Sequence, residues 1–385
     1  MTVDAPLTSD DEPRLSLAFI ANPASVHTRR WLSFFAGRGH EVSLLFDERV
    51  SLTGGLDPAI RVLPFRTLSP RFGRWNLPGV RRALRSAVAA ARPDVLHAHY
   101  VTWYGFAAWL SGFHPYVVTP WGSDVMVSLP ASRRRRMMAR VALRGADLVT
   151  GGSQYLIDVS VAAGARRERT RYVHFGVDTK RFTPGSDPVA LRAKLDLVGR
   201  RVLLANRRIE PYYRPVVIVD ALAQLPRDVV VLMTRHHPDP AELELVERRA
   251  RDLGVADRVR FLPELSDSEM PDLYRLADAV VSIPVTDGGP ITLVEALAAG
   301  RPIVATDLPA VREWLTELDP AALVPVDDVA ATARAIRSVL GRDPAEQADR
   351  AARGRAAVLE RGDFQRNMEA MELLYRELAR GRRAR

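Results

Sequence analysis

Short runs of apolar residues alternate along the chain with longer segments in which apolar residues recur every three or four positions. The short runs have the length and the Val, Ile and Leu content of buried strands. They lie at 15–20, 41–46, 94–99, 116–120, 146–151, 201–206, 229–234, 258–262, 278–283 and 302–306. The periodicity between them, for example at 81–91, 241–253 and 291–299, is typical of helices. Strands that alternate with helices predict parallel sheets covered on both faces.

The series of strands and helices occurs twice, which predicts two domains. A break rich in Pro, Gly and Asp at 176–188 separates the two series. A chain of 385 residues is also long enough for two domains. We therefore predict an α/β protein with doubly wound, Rossmann-like domains at 14–185 and 196–360. The amphipathic segment 361–385 is predicted to be a C-terminal helix that packs back on the first domain.

Ligands of open α/β sheets bind beyond the carboxyl ends of the strands. We therefore expect the two domains to face each other across a cleft that holds the active site. The segment DGGPITLVE, residues 287–295, leaves one of these strands and enters a helix. Its helix N-terminus favours a phosphate, and the Glu295 carboxylate can accept two hydrogen bonds from a vicinal diol such as a ribose. The alternative is that Asp287 only caps the helix and Glu295 lies on a solvated face.

Composition and missing motifs exclude several classes of protein. The chain has no cysteine, which excludes disulfides and thiolate metal sites. It shows no HExxH motif, P-loop, nucleophile elbow or GxGxxG fingerprint, which argues against a zinc protease, a P-loop nucleotidase, an α/β-hydrolase and a dinucleotide oxidoreductase. The chain lacks an apolar run long enough to cross a membrane, and its polar, acidic start differs from a secretory signal. We expect a cytoplasmic protein.

Positive charge is concentrated in the first half of the chain. The net charge is +9, and residues 22–145 carry eighteen arginines against six acidic residues, which predicts an anionic partner. A helix that carries Arg133–Arg140 can lie on anionic lipid at the inner membrane face or hold an anionic acceptor. The alternative is that its arginines lie in water and its apolar stripe in the core. Aromatic residues are not interleaved with these arginines, so we expect no nucleic acid partner.

Five segments carry a more specific signal. They are DVLHAHY at 94–100, VVTPWGSD at 117–124, VHFGVDTKRFTP at 173–184, NRRIEP at 206–211 and DGGPITLVE at 287–295. In this order they resemble motifs of the family 4 retaining glycosyltransferases, the group 1 glycosyltransferases with the GT-B fold. The resemblance covers roughly residues 14–340. It implies transfer of a sugar, such as a hexose, from a nucleotide-diphosphate sugar to an acceptor hydroxyl, with retention at the anomeric carbon, no metal ion and no other cofactor.

The resemblance also implies roles in a donor site. Glu295 would bind the nucleotide ribose and Asp287, which replaces the glutamate usual in the family, would bind the sugar hydroxyls. The diphosphate would lie on the segment between them, Gly288, Gly289, Pro290, Ile291 and Thr292. The family places an arginine and, about five residues on, a lysine against the diphosphate. Arg207 and Arg208 both match the arginine and the choice is open, whereas a tyrosine occupies the lysine position and Arg214 is the nearest replacement.

The acceptor, which is left open as a sugar, a lipid-linked molecule or another small molecule, would lie on the first domain. The residues expected on that side are His27, Arg29, Arg30, His99 and Asp124. His97 is instead expected to be a hydrogen-bonded core histidine. Trp121 stands where the family has the histidine of an HGSD segment, so we expect it to wall the pocket of the donor sugar. The alternative is a tryptophan that only packs in the core.

Two other functions stay open. A nucleotide-sugar epimerase or hydrolase on the same fold would need a set of carboxylates in the first domain, which offers few. A non-enzymatic binder of anionic polymers or membranes would use the arginines of the segment 133–140. Product analysis in the absence of any acceptor separates an epimerase or a hydrolase from a transferase.

Overall fold

A computed structural model describes residues 13–50, 52, 55–65, 77–235, 237–263 and 268–383 of the chain. The chain divides into two compact units, of which the first is Met1–Val173 with Met368–Arg385 and the second is His174–Asn367. Each unit is built around a parallel sheet. The predicted fold class, two Rossmann-like α/β domains, is therefore confirmed. The segment 176–188, which we expected between the domains, lies in the second unit.

The first unit contains, within its described residues, seven strands. They are β1 (Ser16–Ile20), β2 (Glu41–Asp47), β3 (Arg61–Phe65), β4 (Val95–His99), β5 (Tyr116–Thr119), β6 (Leu148–Gly151) and β7 (Thr170–Tyr172). Their order in the sheet is β3-β2-β1-β4-β5-β6-β7, and the paired strands are parallel. Strands β4 and β5 are buried along their whole length, because helices cover both faces of the sheet.

Helices connect the strands of the first unit. They are α1 (Val26–Gly37), α2 (Leu77–Ala91), α3 (Phe106–Ser111), α4 (Ser123–Met126), α5 (Arg133–Gly145) and α6 (Gln154–Ala163). Serine side chains cap α1 and α5, since Ser25 accepts from the backbone N–H of Thr28 and Ser132 from that of Arg135. The helix predicted to carry Arg133–Arg140 is therefore confirmed.

The second unit contributes six strands from its described part. They are β8 (Arg201–Ala205), β9 (Val229–Thr234), β10 (Val259–Leu262), β11 (Ala279–Ser282), β12 (Ile303–Thr306) and β13 (Leu323–Val324). Their order is β10-β9-β8-β11-β12-β13, and the paired strands are parallel. The direction in which strands are added reverses between β8 and β11, as it does between β1 and β4 in the first unit. Such a reversal opens a crevice at the carboxyl edge, where ligands of these sheets bind.

Helices also cover the second sheet. They are α7 (Val189–Lys194), α8 (Pro215–Ala223), α9 (Pro240–Asp252), α10 (Met270–Leu276), α11 (Ile291–Ala298), α12 (Pro309–Leu315), α13 (Val329–Leu340) and α14 (Pro344–Arg361). Helix α11, which carries the second half of the acid motif, is buried from Thr292 to Ala298. The apolar residues on all sides of α11 are therefore explained by its position in the core.

The last helix, α15 (Phe364–Arg383), begins in the second unit and belongs to the first from Met368 on. Its buried apolar residues recur every three or four positions, at Met368, Met371, Tyr375 and Ala379. Within the first unit, the Tyr375 hydroxyl lies 2.5 Å from His97 Nδ1 of β4. Glu372 accepts hydrogen bonds from Arg38 and Arg376 at 2.5 and 2.6 Å. Polar contacts thus hold α15 to β4 and to the end of α1 in addition to its apolar packing.

Gly176 shows why the segment after β7 belongs to the second unit. Its φ is +75°, and a Cβ at this position would lie 2.5 Å from Phe364 Cα, so the chain needs a glycine here. The next residue, Val177, donates its backbone N–H to Gly362 O and accepts at its carbonyl from Phe364 N, each at 2.9 Å. The segment is therefore paired with residues 362–364 of the same unit.

Candidate functional site

The loops after β8 and β11 meet where the strand order of the second sheet reverses. Strand β8 is followed by Asn206 and Arg207, and β11 by the loop that carries Asp287. The Arg207 guanidinium forms an ion pair with the Asp287 carboxylate. Asp287 is only 9% exposed, so water screens the pair weakly. The structure thus brings a predicted diphosphate-binding cation and the predicted sugar-binding acid together in the crevice at which a ligand is expected.

Arg207 keeps its charge although its guanidinium is buried. Burial lowers the pKa of Arg207, but the Asp287 carboxylate and nearby tyrosine hydroxyls outweigh this effect and hold the pKa above its ordinary value. The guanidinium also lies over the Tyr213 ring, with Cζ 4.8 Å from the ring centroid. A charged guanidinium that is held in place in this way can bind a phosphate through two parallel hydrogen bonds.

Two buried polar atoms of the loop after β8, Asn206 Oδ1 and Arg207 Nε, have no hydrogen-bond partner among the described residues. Buried polar groups in folded proteins are nearly always hydrogen-bonded. An open acceptor and an open donor in neighbouring residues suit a ligand that offers both hydroxyl groups and phosphate oxygens.

Arg208 and Arg214, the other two candidate cations, are paired with different acids. Arg208 Nη2 lies 2.6 Å from the Oε1 atom of Glu210, which is two residues further along the same loop. Arg214 Nε lies 2.6 Å from Asp327 Oδ1, and its Nη2 lies 3.2 Å from Asp327 Oδ2. Of the two arginines between which the sequence leaves the choice open, Arg207 is the one that meets the acid motif. The structure does not bring Arg214 to this acid.

Hydrogen bonds fix the loop of the acid motif. The Tyr212 hydroxyl donates to Thr286 O at 2.5 Å, and Val285 N donates to Tyr212 O at 3.1 Å. Asp287 Oδ1 accepts from Gly289 N at 3.1 Å. Pro290 is the N-cap residue of α11, and no side chain caps this helix. Asp287 is therefore not a helix cap, and the predicted diphosphate segment 288–292 leads into a helix N-terminus without a side-chain cap.

Glu295 is not a solvated helix position either. Its side chain is 9% exposed, and its Oε2 accepts a hydrogen bond of 2.7 Å from the Tyr274 hydroxyl of α10. The same hydroxyl accepts from Asn206 Nδ2 at 2.9 Å. Neither Asn206 nor Tyr274 was predicted as a site residue, although Asn206 adjoins a candidate arginine and could have been included on that ground.

The corresponding crevice of the first unit lies between the ends of β1 and β4. Three predicted residues come together there. Trp121, which follows β5, has its ring 5.2 Å from that of His27 and 5.4 Å from that of His99. It also stacks on Tyr100, with the centroids 5.8 Å apart and the rings 5° from parallel. Trp121 is half-buried rather than enclosed, so it forms part of a surface that a ligand can reach.

The two histidines of β4 differ in their hydrogen bonds. His97 is buried between the Tyr375 hydroxyl and Thr119 Oγ1, the latter 2.7 Å from its Nε2, so both ring nitrogens are used, as in the core histidine that we expected. His99 Nδ1 lies 3.3 Å from Thr28 Oγ1, whereas its buried Nε2 has no partner among the described residues. Burial lowers the pKa of His99 to about 3, so its ring is neutral at physiological pH.

The side chains of Asp124 and Arg29 form hydrogen bonds with backbone groups of the first unit. Asp124 is buried, and its carboxylate accepts from the backbone N–H groups of Val101, Trp121 and Gly122 at 2.7, 3.1 and 2.9 Å. Arg29 Nη1 donates to Ala24 O at 2.9 Å. The hydrogen bonds of Asp124 fix the loop that carries Trp121. Arg30 lies half-buried near the start of α1. The hydrogen bonds found for the Asp124 carboxylate are therefore to backbone N–H groups and not to the side chains of the group around Trp121.

The backbone after β4 is unusual, and the sequence analysis missed it. Tyr100 has φ +73°, which is uncommon outside glycine, and residues Val101–Gly105 form a π-helical turn. Strained residues and π-turns concentrate at functional sites. The signal in the sequence is the run of aromatic residues in YVTWYGF at 100–106, directly after the predicted strand.

Substitution of Trp121 by histidine is expected to lower the transfer rate or change the preference for the donor sugar, by about 10-fold, with nucleoside diphosphate affinity unchanged. The ring is half-buried, so the melting temperature should fall by only a few degrees. Trp121→Phe is the matched control, since it keeps an apolar ring and removes the indole N–H. A large loss of melting temperature in both variants, with activity following the folded fraction, would show that Trp121 only packs in the core.

Two family models match the chain. The model described as glycosyl transferases group 1 matches residues 190–356, and the model described as glycosyl transferase 4-like matches residues 16–153. Each match lies within one of the two units, and together they cover most of the chain.

Curated relatives are similar along much of the chain. The D-inositol 3-phosphate glycosyltransferase of Mycolicibacterium smegmatis is 30% identical over 279 residues, which are 66% of this chain and 61% of that protein. The D-inositol 3-phosphate glycosyltransferase 2 of Catenulispora acidiphila is 28% identical over 381 residues, 86% of this chain and 87% of that protein. The match to the first of these relatives thus spans about three fifths of that relative's length.

Solved structures show the same fold. The crystal structure of Anabaena HepE in complex with UDP and glucose aligns with a TM-score of 0.80 at 19% identity and covers 94% of this chain and 99% of that one. Sucrose-phosphate synthase from Thermosynechococcus elongatus aligns with a TM-score of 0.79 at 23% identity, over 95% and 99% of the two chains. At these identities the likeness is one of fold.

Proposed function

Because the chain belongs to the group 1 glycosyltransferases, we propose that it transfers a sugar from a nucleoside diphosphate sugar to an acceptor hydroxyl, with retention of the anomeric configuration and without a metal ion. The observation that carries this proposal is the cluster of Arg207, Asp287 and Glu295 where the strand order of the second sheet reverses. A partly buried cation and two buried carboxylates suit the diphosphate and the hydroxyl groups of a single donor molecule.

In the proposed complex, Glu295 accepts hydrogen bonds from the ribose. Arg207 turns from Asp287 to the diphosphate, and Asp287 accepts hydrogen bonds from the sugar. As the bond between the anomeric carbon and the diphosphate oxygen breaks, the acceptor oxygen bonds to the same face of that carbon and its proton passes to the leaving phosphate. Negative charge develops on the diphosphate, and a positioned guanidinium stabilises it.

We place the acceptor on the first unit, in the crevice between the ends of β1 and β4. His27 and His99 offer rings there, next to the Trp121 ring that is expected to wall the donor sugar, and Arg29 and Arg30 add positive charge nearby. The name of the curated relatives supports a phosphorylated polyol such as an inositol phosphate as acceptor. The UDP in the HepE structure supports a uridine nucleotide as the leaving group.

A finer proposal concerns the arginine-rich helix α5. Residues Arg133–Arg136 are exposed, and Met137 beside them is 64% exposed. The opposite face of α5 is buried through Ala139, Ala142 and Leu143. None of the helices in the described part of the chain is both long and apolar enough to cross a bilayer. An exposed methionine among four arginines suits the surface of an anionic bilayer, so we propose that α5 makes peripheral contact with the cytoplasmic membrane face.

Flotation with vesicles of phosphatidylglycerol and phosphatidylcholine tests this contact. We expect the protein to float with anionic vesicles at low salt and to be released at about 0.5 M salt, because screening weakens the attraction. Arg133→Glu with Arg134→Glu should abolish flotation. The matched control, Arg81→Glu with Arg82→Glu on the exposed face of α2, changes the net charge equally and should retain it. Absence of binding at low salt, or equal loss in both double variants, removes the membrane proposal.

A panel of nucleotide sugars tests the proposed function. Donors that bind the native protein should raise its melting temperature, since a ligand at about 100 times its Kd adds about 2.7 kcal/mol of stability. The donor that protects best is then incubated with and without an inositol phosphate. Release of nucleoside diphosphate that depends on the acceptor supports a transferase. Conversion of the donor at the same rate without acceptor would instead support the epimerase or the hydrolase.

A further inference from the structure

We propose that Tyr274 is a positioning residue of the donor site, because its hydroxyl joins the ribose-binding carboxylate of Glu295 to the loop that carries Arg207. The inference rests on the proposed function, in which Glu295 meets the ribose and Arg207 the diphosphate. Tyr274 lies on α10 and was not among the site residues predicted from the sequence. It would act through Glu295 and Asn206 rather than by touching the reacting atoms.

The position of the Tyr274 hydroxyl is fixed by the core. Its side chain is fully buried, and its ring packs on the edge of Phe182, with the centroids 5.4 Å apart and the planes 79° from parallel. The hydroxyl lies 2.7 Å from Glu295 Oε2 and 2.9 Å from Asn206 Nδ2. A ring that is held on all sides by core packing has little freedom to move its hydroxyl. Tyr274 therefore presents a fixed point between the loop after β8 and helix α11.

The chemistry of the three groups sets the direction of both hydrogen bonds. A carboxylate only accepts, so the Tyr274 hydroxyl donates to Glu295. Its oxygen is then left to accept from the Asn206 amide N–H. Burial and the neighbouring Glu295 carboxylate raise the pKa of Tyr274 well above its ordinary value, so the hydroxyl keeps its proton at physiological pH.

The consequence is a carboxylate whose orientation is set before the nucleotide arrives. A donor group on Oε2 fixes the rotation of the Glu295 carboxylate, so a vicinal diol meets an acceptor that is already oriented. Asn206 directly precedes Arg207, so the same hydroxyl also holds the start of the loop that bears the diphosphate-binding cation. Removal of the hydroxyl leaves a carboxylate oxygen and an amide N–H without this partner, and the nucleotide must then order both groups on binding.

A double-mutant cycle tests the inference with uridine diphosphate as the probe. Tyr274→Phe removes the hydroxyl alone and is expected to raise the Kd of uridine diphosphate by about 10-fold, the loss of one hydrogen bond to a charged group. In the background of Glu295→Ala the same substitution should raise the Kd by only about 3-fold or less, because Asn206 is then the one partner through which the hydroxyl still acts. Asn206→Ala, which removes the other partner of the hydroxyl, should raise the Kd by about 3-fold.

Tyr116→Phe is the matched control. Tyr116 is a fully buried tyrosine of the first unit whose hydroxyl donates to Ala142 O at 2.8 Å. It should lower the melting temperature about as much as Tyr274→Phe does, with the Kd of uridine diphosphate unchanged. If Tyr274→Phe behaves like this control while Glu295→Ala weakens binding, the inference is wrong and the proposed function stands. An equal effect of Tyr274→Phe in both backgrounds also overturns the inference. If Glu295→Ala itself leaves the Kd unchanged, the ribose role of Glu295 fails, and the inference fails with it.

Discussion

Asp287→Asn is expected to lower the rate of sugar transfer by about 100-fold or more, while affinity for free nucleoside diphosphate stays the same or becomes tighter. The amide is a weaker acceptor for the hydroxyl groups of the donor sugar. It also cannot form the ion pair with Arg207 that the carboxylate forms. Arg207 then no longer has to leave a buried carboxylate before it binds the diphosphate. Free nucleoside diphosphate should therefore bind at least as tightly as it does to the unchanged protein.

Initial rates with the intact donor and calorimetric titration of the nucleoside diphosphate measure the two effects separately. Asp327→Asn is the matched control, since Asp327 is also paired with an arginine, Arg214, but in a more exposed position. Its transfer rate and its nucleotide affinity should both stay close to those of the unchanged protein. A clear loss of nucleoside diphosphate affinity in Asp287→Asn would contradict the assignment of Asp287 to the sugar.

Arg207→Gln is expected to reduce transfer by about 100- to 1,000-fold, the effect typical of removing one group that stabilises charge in a transition state. Its neighbour provides the control within the same loop. Arg208 is half-exposed and paired with Glu210, so Arg208→Gln should change the rate by less than about 3-fold. The pair of variants removes the same charge from adjacent positions, which separates the role of the site from the effect of net charge.

The maximal rate and the Kd of the nucleoside diphosphate are both needed for these two variants. Arg207→Gln should lower the transfer rate and weaken the binding of nucleoside diphosphate. The guanidinium is proposed to bind the diphosphate in the ground state and to stabilise its charge as it leaves. Equal rates for the two variants would show that neither arginine acts on the leaving group. A large loss for Arg208→Gln with little change for Arg207→Gln would show that the loop turns around when the donor binds.

The strands were predictable from the sequence because strands of a parallel sheet are buried on both faces and read as continuous apolar runs. The runs at 201–206 and 278–283 contain β8 and β11 almost residue for residue. The position of the acid motif was predictable for the same reason, since a loop that follows such a strand lies at the carboxyl edge. The strand order, which places these two strands side by side, has no local signal, because it depends on how the helices pack between them.

Side-chain direction in the loops was not predictable. Arg207 and Arg208 are neighbours of equal charge, and only the turn of the backbone after β8 decides which of them faces Asp287. Tyr274 lies twenty-one positions before Glu295, so their hydrogen bond depends on tertiary packing of α10 against α11. Asp124 is the opposite case. The sequence made it a candidate for binding the acceptor, but its carboxylate accepts from backbone N–H groups and so fixes the loop.

Proton NMR of the reaction mixture tests most directly whether the second unit carries the donor site of a retaining transferase. The protein is incubated with the nucleotide sugar that protects it best and an inositol phosphate, next to Glu295→Gln under the same conditions. We predict a glycoside with the anomeric configuration of the donor, formed at least about 100-fold more slowly by Glu295→Gln because the ribose loses its acceptor. A product of inverted configuration, or a product formed equally fast by both proteins, would contradict this.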